Sequence, residues 1–165
     1  MRLIYISNAR IPTEKAHGIQ IMQMCEAFSS YNPNLRMYPN APNNIEVELV
    51  VPRRFNWIKK DPFDYYGIER TFKIRKFPCL DLTRFHKYLG HLGLWVESLT
   101  FFFAILFYII FRKADIIYTR DRSLLPLSLF KKNLILEVHT FPKKYFLYSP
   151  FLKRLKGIVV ITQQL

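Results

Sequence analysis

Residues able to hold an anionic, hydroxylated ligand stand just beyond several short apolar runs. Asn8 and Arg10 follow the run 2–6, Arg120 and Asp121 follow 115–119, His139 and Thr140 follow 134–138, and Thr162 follows 157–161. Guanidinium groups, an imidazole, a carboxylate and hydroxyls suit a phosphate and a hydroxylated substrate better than an apolar ligand. His17 and Gly18 add to the set at the mouth of the first predicted helix. A glycine there lets a ligand approach the backbone, and the free amides and positive end of a helix favour an anion. Each residue also has a plainer reading. Gly18 can simply turn the loop into the helix, Asp121 can cap the next helix, and Arg120 can pair with Asp121. Thr162 can be an N-cap, and His139 can be a hydrogen-bonded structural histidine.

The elements that would gather these residues are predicted from local patterning. Residues 2–6 form an apolar, β-branched and aromatic run, the pattern of a buried parallel strand. Ile21, Met24, Cys25 and Phe28 then recur at the spacing of one helical stripe. Further strands are predicted at 46–51, stopped by Pro52, and at 72–77, 115–119, 134–138 and 157–161. A short helix is predicted over 123–130, with Ser123 as its N-cap and Pro126 in its first turn. Alternating strands and helices imply an α/β fold, a mainly parallel sheet covered on both faces. In a doubly wound sheet of this kind the C-terminal strand ends share one edge, where the polar residues above converge. Residues 31–44, rich in Asn and Pro, read as a loop, and 53–67 as an exposed loop on the same side as the Gly18 turn.

With 165 residues the chain has room for one domain and a sizeable core. Its net charge of +13 favours anionic partners, whether phosphate-bearing ligands, acidic membrane or nucleic acid. No nucleic-acid module accompanies the basic pairs Arg53-Arg54, Lys59-Lys60, Lys131-Lys132 and Lys143-Lys144, so these read mostly as solvated charge and no nucleic-acid partner is expected. Cys25 and Cys79 are the only cysteines, which suits a reduced, cytoplasmic setting, and the N-terminus lacks the pattern of a secretion signal. His17, His86 and His91 have no carboxylate or cysteine at ligand spacing, so neither a metal nor another cofactor is expected. A dinucleotide fingerprint, a Walker loop and a serine-hydrolase elbow are all missing from the sequence.

Residues 94–111 are aromatic and aliphatic, ending in Arg112-Lys113. Glu97, Ser98 and Thr100 interrupt the stretch and leave about a dozen unbroken apolar residues, short of the ~20 needed to span a bilayer. A helix buried between the sheet and its neighbours is the preferred expectation. A membrane span, or an aromatic helix lying in the interface with its basic end on headgroups, are the alternatives.

The motif Arg10-Ile11-Pro12, Ala16-His17-Gly18-Ile19-Gln20-Ile21-Met22 and Met24-Cys25-Glu26-Ala27-Phe28 resembles the opening of family 4 glycosyltransferases of the GT-B fold. Ile117-Tyr118-Thr119-Arg120-Asp121, Glu137-Val138-His139 with Phe141-Pro142, and Val159-Val160-Ile161-Thr162 agree with it in order. The resemblance implies a Rossmann-like three-layer α/β/α sandwich, the acceptor-side half of a GT-B architecture. It implies a retaining enzyme that moves a sugar from a nucleotide-diphosphate donor to a lipid-linked or polysaccharide acceptor. Arg10, His17, Gly18, Arg120, Asp121, His139 and Thr162 would be substrate-binding, with no catalytic residue assignable in this half. The loop ending at Gly18 would approach the donor diphosphate and the acceptor, and His139 the transferred sugar; Thr140 stands where many members carry an acidic residue. The nucleotide-sugar domain and its acidic motif would lie beyond Leu165. The chain is thus expected to be a fragment, a truncated frame, or one half of a two-chain enzyme, inactive alone. Two other readings are a non-catalytic membrane-associated subunit and a Rossmann-like nucleotide-binding domain of another enzyme. Peripheral contact with anionic lipid on the inner face of the cell membrane completes the expectation.

Overall fold

The computed structural model describes residues 1–31, 45–82, 90–139 and 145–161. The loop predicted over 31–44 beyond Tyr31, His86, Thr140, Phe141-Pro142, Lys143-Lys144 and Thr162 lie outside them.

Six strands form one parallel sheet: β1 (Arg2–Ile6), β2 (Glu46–Pro52), β3 (Lys73–Phe77), β4 (Ile116–Thr119), β5 (Leu134–Val138) and β6 (Gly157–Val160). Their spatial order is β3-β2-β1-β4-β5-β6, the Rossmann order. The predicted strands are all present, each within a residue or so of its expected bounds. Near-continuous apolar runs are what a strand buried on both faces requires. Pro52 is tolerated because it closes β2, opposite Phe77 at the end of β3.

Helices cover both faces, so the fold is a Rossmann-like α/β/α sandwich. On one face lie α1 (Ala16–Ser29) and α2 (Pro62–Tyr66); Ile21, Met22 and Cys25 pack there on Leu3, Tyr5, Leu49 and Tyr118. On the other lie α3 (His91–Phe111), a 3-10 helix (Arg122–Leu129) and α4 (Ser149–Leu152). There Phe101, Ile105 and Ile109 pack on Ile4, Ile6, Val50 and Ile117, and Leu152 packs beside Leu136 and Val138. Among the described residues the cover thins at β6, whose Ile158, Val159 and Val160 are exposed.

Four expectations need correction. The α1 stripe is rotated: the sheet takes Gly18, Ile21, Met22 and Cys25, while Met24 and Phe28 pack at its margin. Residues 53–67 are more than an exposed loop. Asp61 accepts a hydrogen bond from the Phe63 N–H at 2.9 Å and starts α2, Gly67 ends it at φ 66°, and Phe63 is buried. The short helix after β4 is a 3-10 helix with Asp121, not Ser123, at the cap position, and Pro126 lies in its interior. A proline there lacks the backbone N–H and its ring clashes with the carbonyl four residues back, so a regular α-helix is disfavoured. Finally, α3 is 21 residues long and only one of its faces is buried.

Candidate functional site

A cleft of about 440 Å³ opens where the chain reverses direction across the sheet, beyond the C-terminal ends of β1 and β4. This is the switch point at which open α/β sheets bind ligands, and the volume suits a small molecule. Its walls include Asn8, Arg10, Lys15, His17, Arg120 and Asp121. The strand-end residues expected from the sequence thus converge here, save those discussed below.

Asp121 fastens the loop from β1 to α1. Its carboxylate accepts hydrogen bonds from the Ser7 hydroxyl at 3.0 Å and the Asn8 N–H at 2.6 Å. It is therefore neither a side-chain cap nor the partner of Arg120, which donates instead to Gln20 on α1 at 3.1 Å. Among the described residues no carboxylate pairs with Arg10, Lys15 or Arg120. Three cations thus face the single carboxylate of Asp121, which is already engaged. The α1 N-terminus opens beside them, with Lys15 at the cap position. His17 titrates below the ordinary histidine range, because burial disfavours its charge and Arg120 and Lys15 repel it, against the pull of Asp121. A neutral imidazole amid cations can both donate and accept hydrogen bonds.

Gly18 does not line the cleft. It is buried, and a Cβ there would stand 2.3 Å from the Tyr66 hydroxyl and 2.5 Å from the Thr13 methyl. The space that the sequence assigned to an approaching ligand belongs to Tyr66. Its hydroxyl accepts from the Thr13 N–H at 2.7 Å and donates to the Thr13 carbonyl at 2.8 Å, locking the loop against α2. Asn56 adds a bond to the Pro12 carbonyl at 2.6 Å.

Arg54 lines the cleft, although the sequence grouped it with solvated charge. The Glu97 carboxylate on α3 accepts from its Nε at 2.9 Å, and Asn8 accepts from its Nη2 at 2.8 Å. The Asn8 amide in turn donates to Ser98 on α3 at 3.0 Å. Arg54 falls two positions after β2, so the strand-end rule applied to β2 would have found it. Glu97 is fully buried, with Oε2 lacking a hydrogen-bond partner; desolvation raises its pKa against the pull of Arg54.

His139 sits apart from these walls, on the α1 face at the end of β5. Its Nε2 lies 2.6 Å from the Glu137 carboxylate, which is buried and also accepts from the Tyr118 hydroxyl at 2.9 Å. Burial, then the charge of Glu137, pushes the Tyr5 and Tyr118 phenols up, so both stay protonated donors. Glu137 was missed from the sequence. A carboxylate two positions before His139 on a strand must share its face, and that spacing was the available signal. Among the described residues no cluster of His, Cys, Asp or Glu could hold a metal ion.

Fold and cleft together define a Rossmann-like α/β protein with a cationic site at its switch point. No family model matches the chain, and no curated protein matches it either.

Proposed function

We propose that this chain is the acceptor-binding, N-terminal half of a retaining glycosyltransferase that transfers a sugar from a nucleotide-diphosphate donor to a lipid-linked or polysaccharide acceptor. The observation that carries the reading is the cluster of Arg10, Lys15 and Arg120 around the α1 N-terminus, in a cleft at the sheet switch point. In this reading the cations hold phosphate oxygens, and electrostatic stabilisation of the leaving diphosphate supplies the catalysis, with no nucleophile drawn from this half. Neutral His17 serves a substrate hydroxyl or phosphate, and His139, oriented by Glu137, meets the transferred sugar. The facing nucleotide-sugar domain, on the same polypeptide or a separate one, completes the site. The order of the family motifs along the sequence supports the glycosyl chemistry.

The strand order also suits a dinucleotide, which is the competing reading. Against it, the glycine position that would let a pyrophosphate approach is filled by Tyr66. The test is to coexpress the chain with C-terminal halves of family 4 enzymes and assay transfer from a panel of nucleotide sugars. Transfer that falls about 10-fold or more in Arg120→Ala is expected, from the loss of one charged contact to the developing phosphate charge. Folded protein without transfer from any donor, or NAD binding by the chain alone that Arg10→Ala abolishes, would overturn the proposal.

A further inference from the structure

Helix α3 carries two opposed stripes. Gly93, Glu97, Phe101, Ile105 and Ile109 are buried, Gly93 beside Leu82, Glu97 on Arg54 and the other three on the sheet. Two positions on, about 200° around the helix, Trp95, Leu99, Phe103, Phe107 and Phe111 point outward. Their exposures are 75%, 56%, 58%, 70% and 75%. A helix packed on a soluble core ordinarily turns polar residues outward. This stripe has none, and a contiguous exposed apolar face of that kind marks an interaction surface.

The length and apolarity of α3 would allow it to cross a membrane. Its packing argues otherwise. Glu97 holds Arg54, and Tyr108 donates to Glu48 at 2.8 Å beneath the sheet. A spanning α3 would strip away these pairs or carry Glu97 into hydrocarbon unpaired. A helix with one face on a sheet and the other apolar can instead lie in the plane of a bilayer surface.

Charge identifies the occupant. Exposed Lys113 follows α3 just beyond Arg112, which packs over the Tyr108 ring, and exposed Leu129 and Phe130 at the end of the adjacent 3-10 helix run into Lys131-Lys132. Neither α3 nor the 3-10 helix exposes a carboxylate, since Glu97 is their only acidic residue and it is buried. A second copy seated on this face would meet cations without a counter-charge. An anionic bilayer supplies both hydrocarbon and negative headgroups.

We infer that α3 is an in-plane membrane-docking helix whose outward stripe enters the interface of an anionic bilayer. Glu97, which holds the cleft residue Arg54, lies on the opposite side of α3 from the docking face, about 10 Å away across the helix, so docking brings that end of the cleft toward the headgroups. The inference stands independently of the ligand in the cleft, because it requires neither donor nor acceptor nor a facing domain.

The experiment is cosedimentation of the full chain with phosphatidylglycerol-containing vesicles and with phosphatidylcholine vesicles. Binding is expected to the anionic vesicles, weakened by about 0.5 M salt as screening shortens the reach of the lysines. Phe103→Gln/Phe107→Gln should weaken it about tenfold or more, since two aromatic side chains lose their apolar seat. Lys131→Gln/Lys132→Gln should weaken it less. In a Trp57→Phe background, Trp95 fluorescence should shift to the blue and be quenched by brominated lipid, a readout that leaves α3 unaltered. Absence of binding to anionic vesicles, or binding that survives the Phe pair with no quenching of Trp95, would overturn the inference. So would a dimer in vesicle-free sedimentation velocity that the same Phe pair dissolves, since a second copy would then be the occupant.

Discussion

Helices α1 and α3 cover the same central strands from opposite faces, and they differ on their outward sides. Beyond its buried stripe α1 exposes Ala16, Ile19, Gln23 and Ala27, one aliphatic and one amide side chain between two alanines and no aromatic ring. The corresponding positions of α3 are a tryptophan, a leucine and three phenylalanines. The sheet requires only one stripe from each helix. The continuous aromatic outward face of α3 therefore answers to something other than the fold, whereas the outward side of α1 carries no aromatic side chain and a single isoleucine.

The largest test of that contrast lies within α3. Phe101 is fully buried against Ile4, Ile6 and Ile117, so Phe101→Ala should cost about 3–5 kcal/mol in urea unfolding, from lost burial and the cavity left behind. Next comes the carboxylate that ties α3 to the sheet. Glu48 is buried and accepts from Tyr108 on α3, Arg2 and Arg75. Desolvation pushes its pKa up, but the hydrogen bonds from Tyr108, Arg2 and Arg75 prevail and hold it below the ordinary carboxylate range. Glu48→Ala should cost about 3 kcal/mol at neutral pH, at the low end for a buried pair because Arg2 and Arg75 retain some solvent. A depressed carboxylate stabilises the fold fully above its unfolded pKa and loses that contribution as pH falls through the folded one. The wild type and Glu48→Ala should therefore converge in stability in acid, and a difference that persists unchanged there would remove the charge from the explanation.

The same contrast explains what the sequence made legible. All six strands were visible because a buried parallel strand announces itself locally, as a short apolar run between breakers. Arg10, Arg120 and Asp121 were placed in one cleft because strand ends share an edge. The stripe of α1 was read one setting off, since Ile21 and Cys25 fit either Met24 and Phe28 or Gly18 and Met22, and only the sheet chooses. For α3 the difficulty was greater. A helix apolar all round carries no period, so neither its buried side nor its exposure could be read. Glu97 looked like a break in a hydrophobic run, yet it is buried and holds Arg54, which lines the cleft. Its burial depends on Arg54, which comes from a distant loop. Gly18 failed for a similar reason, because the atom that fills its missing side chain belongs to Tyr66.

That assignment of Gly18 gives the α1 side its own prediction. If the glycine exists to admit Tyr66 and Thr13, Gly18→Ala forces both aside and should cost about 1–3 kcal/mol, as overpacking does. Adding Tyr66→Phe removes the closer of the two obstructing atoms, so the double variant should lose less than the two single costs summed. Strict additivity in equilibrium unfolding would mean that the two side chains do not share the space.

The smallest expected effect discriminates most sharply between the two helices. Phe103 lies two positions from Phe101 on the same helix, yet it projects from the surface. Phe103→Ala removes a side chain that is already largely in water, so its unfolding free energy should change by no more than about 0.5 kcal/mol. The fold then tolerates α3 whether or not its outward side is aromatic, and the aromatic stripe is free to serve contact with a surface. A cost approaching that of Phe101→Ala would mean the opposite. The outward face would already be covered in vesicle-free solution by another copy of the chain, its phenylalanines would belong to a core, and α3 would differ from α1 only in having a protein neighbour on both sides.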